Sequence, residues 1–164
     1  MKSDKQYLKW CAKQKKGIKV VNGSTNLQKA YLKKSKEALR SMEVNAKEGI
    51  DEWVVSTSYY AKYFASYALL SRIGVKCEIH DCTIALFSYL FSSEITPKFI
   101  QDLKQAKDDR IDVQYYTATI PINSQALITD AKEFVLKIEE IIDRLTNTKI
   151  ATLQGKLRAT LLIR

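Results

Sequence analysis

The sequence predicts an all-α protein, a compact bundle of four to five helices with an up-and-down core and short N- and C-terminal extensions. Three observations lead to this prediction. Apolar residues recur at steps of three and four along several long stretches. Candidate helix caps, prolines and glycines separate these stretches. The sequence contains no internal repeat, low-complexity run or long linker, and short connections between helices favour a bundle.

The length of 164 residues suits one domain with its own hydrophobic core. We place this core at about residues 24–147 and regard residues 1–23 and 148–164 as peripheral. Neither a signal peptide nor a long apolar span is evident, and we expect the three cysteines to form no disulfide framework. These features predict a cytoplasmic protein without a membrane partner.

The N-terminal part predicts a short helix, an extended run and a long helix. Residues 3–15 suit the short helix, and residues 18–23 suit an extended run that ends in an Asn-Gly turn. Ser24 or Thr25 is the expected cap of the long helix, which continues to about Lys47. Its apolar side should pack inward, so this helix exposes many of its lysines.

The next stretch predicts the central helix, which ends near Gly74, a residue suited to a left-handed C-terminal cap. One face of this helix is small and another is bulky and aromatic. Apolar side chains on several sides indicate that the bundle buries it. The small face holds Thr57, Ala61, Ala65 and Ala68, and the bulky face holds Tyr60, Phe64, Tyr67 and Leu70.

Two more helices follow the central one. Residues 83–91 form an apolar run for which Asp81 is the expected N-cap. Thr96 and Pro97 mark the start of the next helix, with proline in its first turn. Arg110 falls on or beside the apolar stripe of that helix, where a charge needs a partner.

The clearest amphipathic helix begins near Ser124, its expected cap. Its apolar residues alternate steps of four and three: Leu127, Ala131, Phe134, Ile138, Ile141 and Leu145. The tail from Thr146 onward has no clear pattern, and Gly155 interrupts it. A strand, a frayed helix and a docking arm all remain open for this tail.

The net charge of +9 lies in the N-terminal third of the chain. Residues 1–50 hold thirteen of the 27 Lys and Arg residues and four of the 18 Asp and Glu residues. Such asymmetry is expected of a surface that binds a polyanion, although a solvated lysine-rich face is an equal alternative. The candidate nucleic-acid surface consists of Lys29, Lys33, Lys34, Lys36 and Arg40.

Several segments in a fixed order resemble the HEPN superfamily, above all its small stand-alone prokaryotic members. The likeness spans roughly residues 26–145. It rests on the following segments: Ala30-Tyr31-Leu32-Lys33-Lys34-Ser35 with Ala38-Leu39; Ser58-Tyr59-Tyr60-Ala61 with Tyr63-Phe64 and Ala68-Leu69-Leu70; Gly74, His80 and Phe87; Arg110-Ile111-Asp112-Val113-Gln114-Tyr115-Tyr116; and Ala131-Lys132-Glu133-Phe134.

The resemblance implies a helical bundle that dimerises through its central helices and binds RNA or nucleotide. Many members are similar to metal-independent endoribonucleases, and some are toxins paired with a minimal nucleotidyltransferase antitoxin. Their signature is an arginine and a histidine separated by four to six residues. Histidine can move protons to or from the reacting oxygens, while the planar fork of arginine can hold the scissile phosphate.

In this sequence the resemblance makes Arg72 and His80 the candidate catalytic residues. They depart from the signature because seven residues separate them. Some toxin members carry a tyrosine two positions after the histidine, where this chain has Cys82. We expect no metal or other cofactor, since Cys77, His80 and Cys82 have no second pair of ligands and fit no common zinc spacing.

Four further residues are candidates for supporting roles. Asp81 either caps its helix or orients the ring of His80. Arg110, Asp112 and Tyr115 either form a structural network beside the core or line the same cleft as His80. Four closely spaced tyrosines in the central helix carry too many hydroxyls for a dry interior, so some should face a cleft or a dimer partner.

Two functions from different classes follow from these residues. The first is a metal-independent endoribonuclease, the toxin half of a pair with a nucleotidyltransferase. The alternative is a non-catalytic subunit that binds nucleotide or RNA and docks a nucleotidyltransferase partner. A structural helical adaptor is a third reading.

Overall fold

A computed structural model describes residues 4–116 and 121–162 of the protein. These residues form seven α-helices and one two-stranded sheet, so the all-α prediction is confirmed. In chain order the elements are α1 (Asp4–Lys13), β1 (Lys19–Val20), α2 (Thr25–Lys47), α3 (Asp51–Arg72), β2 (Val75–Lys76), α4 (His80–Phe91), α5 (Pro97–Tyr115), α6 (Ser124–Asp143) and α7 (Asn147–Leu161).

The centre of the fold is α3, which packs against α2, α5 and α6. Small side chains on α3 allow close approach of its neighbours, as the sequence predicted. At one such place the buried Ser35 hydroxyl of α2 donates a hydrogen bond of 2.8 Å to the carbonyl oxygen of Ala61. Both α2 and α5 run antiparallel to α3. Only residues 48–50 connect α2 to α3, and the two helices pack side by side. Along α5, Tyr115 lies near Trp53, whereas Lys107 lies near Tyr63.

The two strands fix the connection that leads from α3 to α4. They pair antiparallel, with Lys19 opposite Lys76 and Val20 opposite Val75. The amide of Val21 donates to the carbonyl of Gly74 at 2.8 Å, which holds the C-terminal end of α3 against β1. This short sheet therefore sets where the chain turns before α4 begins.

The terminal segments that the sequence placed at the periphery are also helical and packed. In α1, Leu8 is fully buried, and in α7, Leu153 and Leu157 are buried. Both helices contact α4 as well as each other. The tail that was left open between strand, frayed helix and docking arm thus forms α7 as far as Leu161, while its last two residues lie outside the described part of the chain.

A disulfide joins Cys11 of α1 to Cys82 of α4, with their Cα atoms 5.8 Å apart. The expectation of no disulfide framework was therefore wrong for this pair. The two cysteines are 71 residues apart in sequence, and only the packing of α1 on α4 brings them together. The remaining cysteine, Cys77, is buried as a free thiol.

Local helix signals agree with the structure at most boundaries. Ser24 caps α2 by accepting a hydrogen bond from the Leu27 amide at 3.1 Å. Thr96 is the N-cap of α5, and Pro97 is its first residue. The expected cap of α6 was wrong by one residue: Asn123 is the cap, and the Ser124 hydroxyl instead donates to Asp51 at the start of α3.

None of the helices within residues 4–116 and 121–162 is both long and apolar enough to cross a membrane.

Replacing Gly74 by alanine should destabilise the protein more than replacing Gly49. Both glycines have positive φ, 76° for Gly74 and 69° for Gly49, and alanine in this region costs about 1–2 kcal/mol. A Cβ on Gly74 would also lie 2.3 Å from the carbonyl oxygen of Val21, whereas one on Gly49 meets nothing within 4 Å. The backbone must move in the first case only.

Urea unfolding of the two variants tests this expectation. Gly49→Ala is the matched control, with an expected loss of about 1–2 kcal/mol in the free energy of unfolding. Equal losses in the two variants would show that the close contact between Gly74 and Val21 does not constrain the fold.

Candidate active site

A cleft of about 530 Å³ lies where α3, the start of α4 and α5 meet. We call it the His80 cleft. Aromatic side chains of α3 form one wall, and charged side chains of α4 and α5 form the other. Its principal lining residues are Tyr60, Tyr63, His80, Asp81, Lys107 and Arg110.

His80 enters this cleft because it is the first residue of α4. Ile79, in an extended conformation, is the N-cap of the helix. The proposal from sequence that Asp81 caps this helix was therefore wrong, since Asp81 already lies in the first turn. A helix that begins directly after the β2 connection places the His80 ring over the middle of α3.

Two tyrosines of α3 hold the His80 ring. The ring of Tyr63 stacks on it with centroids 4.4 Å apart and planes inclined by 17°. The Tyr59 hydroxyl lies 2.5 Å from Nδ1 of His80, within hydrogen-bond distance. Within residues 4–116 and 121–162, Nε2 of His80 has no hydrogen-bond partner. The second ring nitrogen is therefore free to act on a bound molecule.

The environment of the ring favours its neutral form. Burial lowers the pKa of His80 below its usual value of 6.5, and the positive charge of Arg110 lowers it further, while the smaller effect of Asp81 raises it. Burial also raises the pKa of the Tyr59 hydroxyl far above its usual range, so this hydroxyl keeps its proton. A protonated hydroxyl can donate to Nδ1 or accept from it, and it supports either tautomer of His80.

Arg110 lies within a group of aromatic rings rather than beside a carboxylate. Its Nη1 donates to the Tyr60 hydroxyl at 3.0 Å, and its guanidinium carbon lies 5.3 Å from the centre of the Tyr59 ring. Its buried Nε has no hydrogen-bond partner in the part of the chain that the structure describes. No carboxylate in the described part of the chain forms an ion pair with this guanidinium, so its charge remains available to an anion.

The proposed network around Arg110 forms only in part. The guanidinium carbon lies 6.0 Å from the centre of the Tyr115 ring. Asp112 is exposed, and its carboxylate makes no hydrogen bond or ion pair with a described residue. Arg110 and Tyr115 therefore meet, whereas Asp112 does not contact them and is not among the residues that line the His80 cleft. Its supporting role stays a prediction.

At the edge of the cleft, Asp81 forms an ion pair with Lys107. Lys107 also lies 3.4 Å from Asp108. Asp81 thus contacts the lysine and does not hydrogen-bond to the His80 ring. Sequence reasoning missed Lys107, although its spacing of three residues from Arg110 on α5 places the two on one face.

Arg72 is not among the residues that line the His80 cleft. It is the last residue of α3, nine residues after Tyr63, which corresponds to about 13 Å along the helix axis. Its guanidinium makes no hydrogen bond or ion pair with residues 4–116 or 121–162. The structure therefore brings Arg110, and not Arg72, to His80, while the catalytic role given to Arg72 stays a prediction.

The candidate nucleic-acid surface is divided between two faces of α2. Lys29, Lys33, Lys36 and Arg40 line one shallow groove of about 480 Å³. Carboxylates partly neutralise it, since Lys36 pairs with Glu139 at 2.6 Å. Lys34 lies on the other face, 5.5 Å above the Phe64 ring, which lines the His80 cleft.

Among the described residues, no group of three or more His, Cys, Asp or Glu side chains is placed to hold a metal ion.

Replacing Arg110 by glutamine should raise the pKa of His80 toward 6.5. The variant removes the charge that, after burial, contributes most to lowering this pKa. The chain has one histidine, so the ring protons of His80 can be followed by NMR during a pH titration without ambiguity. Lys107→Gln is the control, with a smaller expected rise. An unchanged or lower pKa in Arg110→Gln would show that the charge of Arg110 does not lower the pKa of His80.

Comparison with protein families places these residues in a known context. The family model for the HEPN domain matches residues 28–148, which extend from α2 to the beginning of α7 and include the whole His80 cleft. No curated protein matches the chain significantly. The family match covers well over half of the sequence and agrees with the all-α bundle, and the chain therefore belongs to the HEPN domain family.

Proposed function

We propose that the His80 cleft is the active site of a metal-independent endoribonuclease. One observation carries this proposal: a histidine that favours its neutral form and an arginine without a carboxylate partner line the same cleft. Membership of the HEPN family supports a function that involves ribonuclease activity or nucleotide binding.

In this proposal His80 is the general base. Its Nε2 accepts the proton of a ribose 2′-hydroxyl, and the 2′ oxygen forms a bond to the adjacent phosphorus. The bond from phosphorus to the 5′ oxygen breaks, and the leaving oxygen takes a proton from the imidazolium or from water. The Tyr59 hydroxyl stabilises the imidazolium by accepting a hydrogen bond from Nδ1.

Arg110 binds the phosphate on which negative charge develops. Its planar guanidinium has five N–H groups, of which the structure uses one on the Tyr60 hydroxyl. The remaining groups can hold two phosphate oxygens at once. Lys107 adds a second positive charge at the edge, moderated by Asp81. The aromatic walls lower the local dielectric constant and strengthen each of these interactions.

The alternative is a non-catalytic subunit that binds nucleotide or RNA and docks a nucleotidyltransferase partner. One observation favours it: Arg72, the arginine that the family signature pairs with His80, does not line the cleft. Either function suits one half of a pair with a nucleotidyltransferase, with the ribonuclease as the toxin. A homodimer that joins two His80 clefts belongs to the same proposal.

Cleavage of an RNA pool in EDTA should depend on His80 and Arg110 and not on Arg72. We expect His80→Gln to slow cleavage by about 10²-fold or more, because the general base is lost. Arg110→Gln should slow it by about 10²- to 10³-fold, because charge on the phosphate is no longer stabilised. Arg72→Gln is the matched control, with a rate within a few-fold of wild type. Circular dichroism confirms that each variant is folded.

Three outcomes of this experiment would contradict the proposal. Equal loss of cleavage in Arg72→Gln and Arg110→Gln would show that the phosphate site does not depend on Arg110 alone, and loss in Arg72→Gln only would assign it to Arg72. Absence of cleavage by the wild-type protein would leave the binding function, which fluorescence anisotropy with labelled RNA measures directly.

The basic groove on α2 should make RNA binding sensitive to salt. Lys29 and Arg40 line this groove and form no ion pair with a described residue. Each contact between such a residue and a phosphate of single-stranded RNA contributes about 0.7 to the slope of log K against log salt concentration. The double variant Lys29→Gln/Arg40→Gln should therefore reduce this slope by about 1.4.

A second double variant with the same loss of charge is the control. Lys98 and Lys149 pair with Asp102 and Glu94, outside the groove. Lys98→Gln/Lys149→Gln should leave the slope nearly unchanged. An equal reduction in both double variants would mean that net charge, and not this groove, attracts RNA.

A further inference from the structure

The groove between α3 and α5 continues beyond the His80 cleft toward the start of α3. A second cavity of about 350 Å³ lies there, lined by Glu52, Trp53, Ser56, Gln114 and Tyr115. We call this cavity the Trp53 slot. Since α3 and α5 are antiparallel, Ser56 lies one turn from Tyr60, and Gln114 lies one turn from Arg110. The slot and the cleft therefore occupy consecutive turns of one groove.

Two large aromatic side chains of the slot are exposed. Trp53 is 53% exposed and Tyr115 is 68% exposed, although both belong to helices of the bundle. They come from opposite sides of the groove and line the same cavity. Exposed aromatic rings in a groove of this kind offer stacking surfaces for nucleobases, because every base has a flat π-face.

A buried hydroxyl adds a second, independent observation. Ser56 is 1% exposed and lines the slot, yet its Oγ has no hydrogen-bond partner among the described residues. Buried polar groups are nearly always paired, so an unpaired one at a cavity points to a ligand. Gln114 and Glu52 add an amide and a carboxylate to the same cavity. Together these groups can donate to and accept from the edge of a base.

The charges along the groove indicate which part of a nucleotide lies where. The residues that line the Trp53 slot include one carboxylate, Glu52, and no basic side chain. The next turn carries Arg110 and Lys107. A phosphate is therefore favoured in the His80 cleft and disfavoured in the slot. Tyr115 joins the two sites, since its ring lies 6.0 Å from the Arg110 guanidinium.

We propose that the Trp53 slot binds an unpaired nucleobase of single-stranded RNA, stacked on Trp53 and Tyr115, while the neighbouring phosphate lies at Arg110. The choice of RNA rests on the proposed ribonuclease function. A base enters such a slot only when it is not paired within a duplex. The slot would therefore direct the His80 cleft to single-stranded segments, and the Ser56 hydroxyl would contribute to the choice of base.

Binding of short oligoribonucleotides separates base stacking from attraction of phosphate. All proteins carry His80→Gln to prevent cleavage, and the probes are a six-nucleotide single strand, its duplex and an abasic strand with the same phosphates. Trp53→Leu and Tyr115→Leu should each weaken binding of the single strand by roughly 5- to 100-fold. Trp53→Leu should leave binding of the abasic strand unchanged, because Trp53 does not line the His80 cleft.

Two aromatic residues outside the slot provide matched controls. Trp10 is 46% exposed on α1, and Tyr116 is 70% exposed next to Tyr115, and neither lines the slot. Trp10→Leu and Tyr116→Leu should bind all three probes like the parent protein. Ser56→Ala should change the relative affinities of strands made of different bases while leaving that of the abasic strand unaltered.

The proposed base-binding slot and the proposed ribonuclease function can be contradicted independently of each other. Base-dependent binding that is lost in Trp53→Leu, together with no cleavage by the wild-type protein, would retain the slot and overturn the nuclease. Cleavage by the wild-type protein, together with equal binding by Trp53→Leu and its parent, would overturn the slot alone. Equal weakening of the abasic strand, or no binding of any RNA, would also overturn the slot.

Discussion

The enclosure of α3 by α2, α5 and α6 determines where every group of the His80 cleft lies. Because Tyr59 and Tyr63 are held at low exposure in this helix, they form a fixed surface for the His80 ring. The same helix presents the Tyr60 hydroxyl to Arg110. A mobile α3 would leave the histidine and the arginine with no common support. The rigidity of the core is thus the source of the geometry at the surface.

Much of the fold could be predicted from the sequence because its signals are local. A cap such as Ser24, a proline such as Pro97 and a left-handed glycine such as Gly74 act on the residues next to them. The disulfide between Cys11 and Cys82 could not be predicted, since it depends on the packing of two helices distant in sequence. The tail was left open between a strand, a frayed helix and a docking arm because Gly155 interrupts its pattern. In the structure Gly155 lies within α7, where an added Cβ would meet nothing within 4 Å.

In the candidate site, too, single residues could be identified from the sequence, whereas their contacts with residues distant in sequence could not. His80 was found from the family resemblance, and Arg110 was noticed because a charge on an apolar stripe needs a partner. Their proximity follows from the antiparallel packing of α5 on α3, which the order of residues along the chain does not reveal. Arg72 was favoured because it is close to His80 in sequence, but the length of α3 places it away from the cleft.

The groove between α3 and α5 limits which changes of sequence can alter the ligand that this protein binds. Its subsites follow one another by single turns of two regular helices, from Trp53 to Tyr60 on α3 and from Lys107 to Gln114 on α5. One inserted residue in either helix would rotate everything before it by about 100° and turn half of the groove away from the other half. New ligand preferences must therefore arise by substitution at fixed positions. Between these subsites, neither helix should tolerate the insertion or deletion of a single residue.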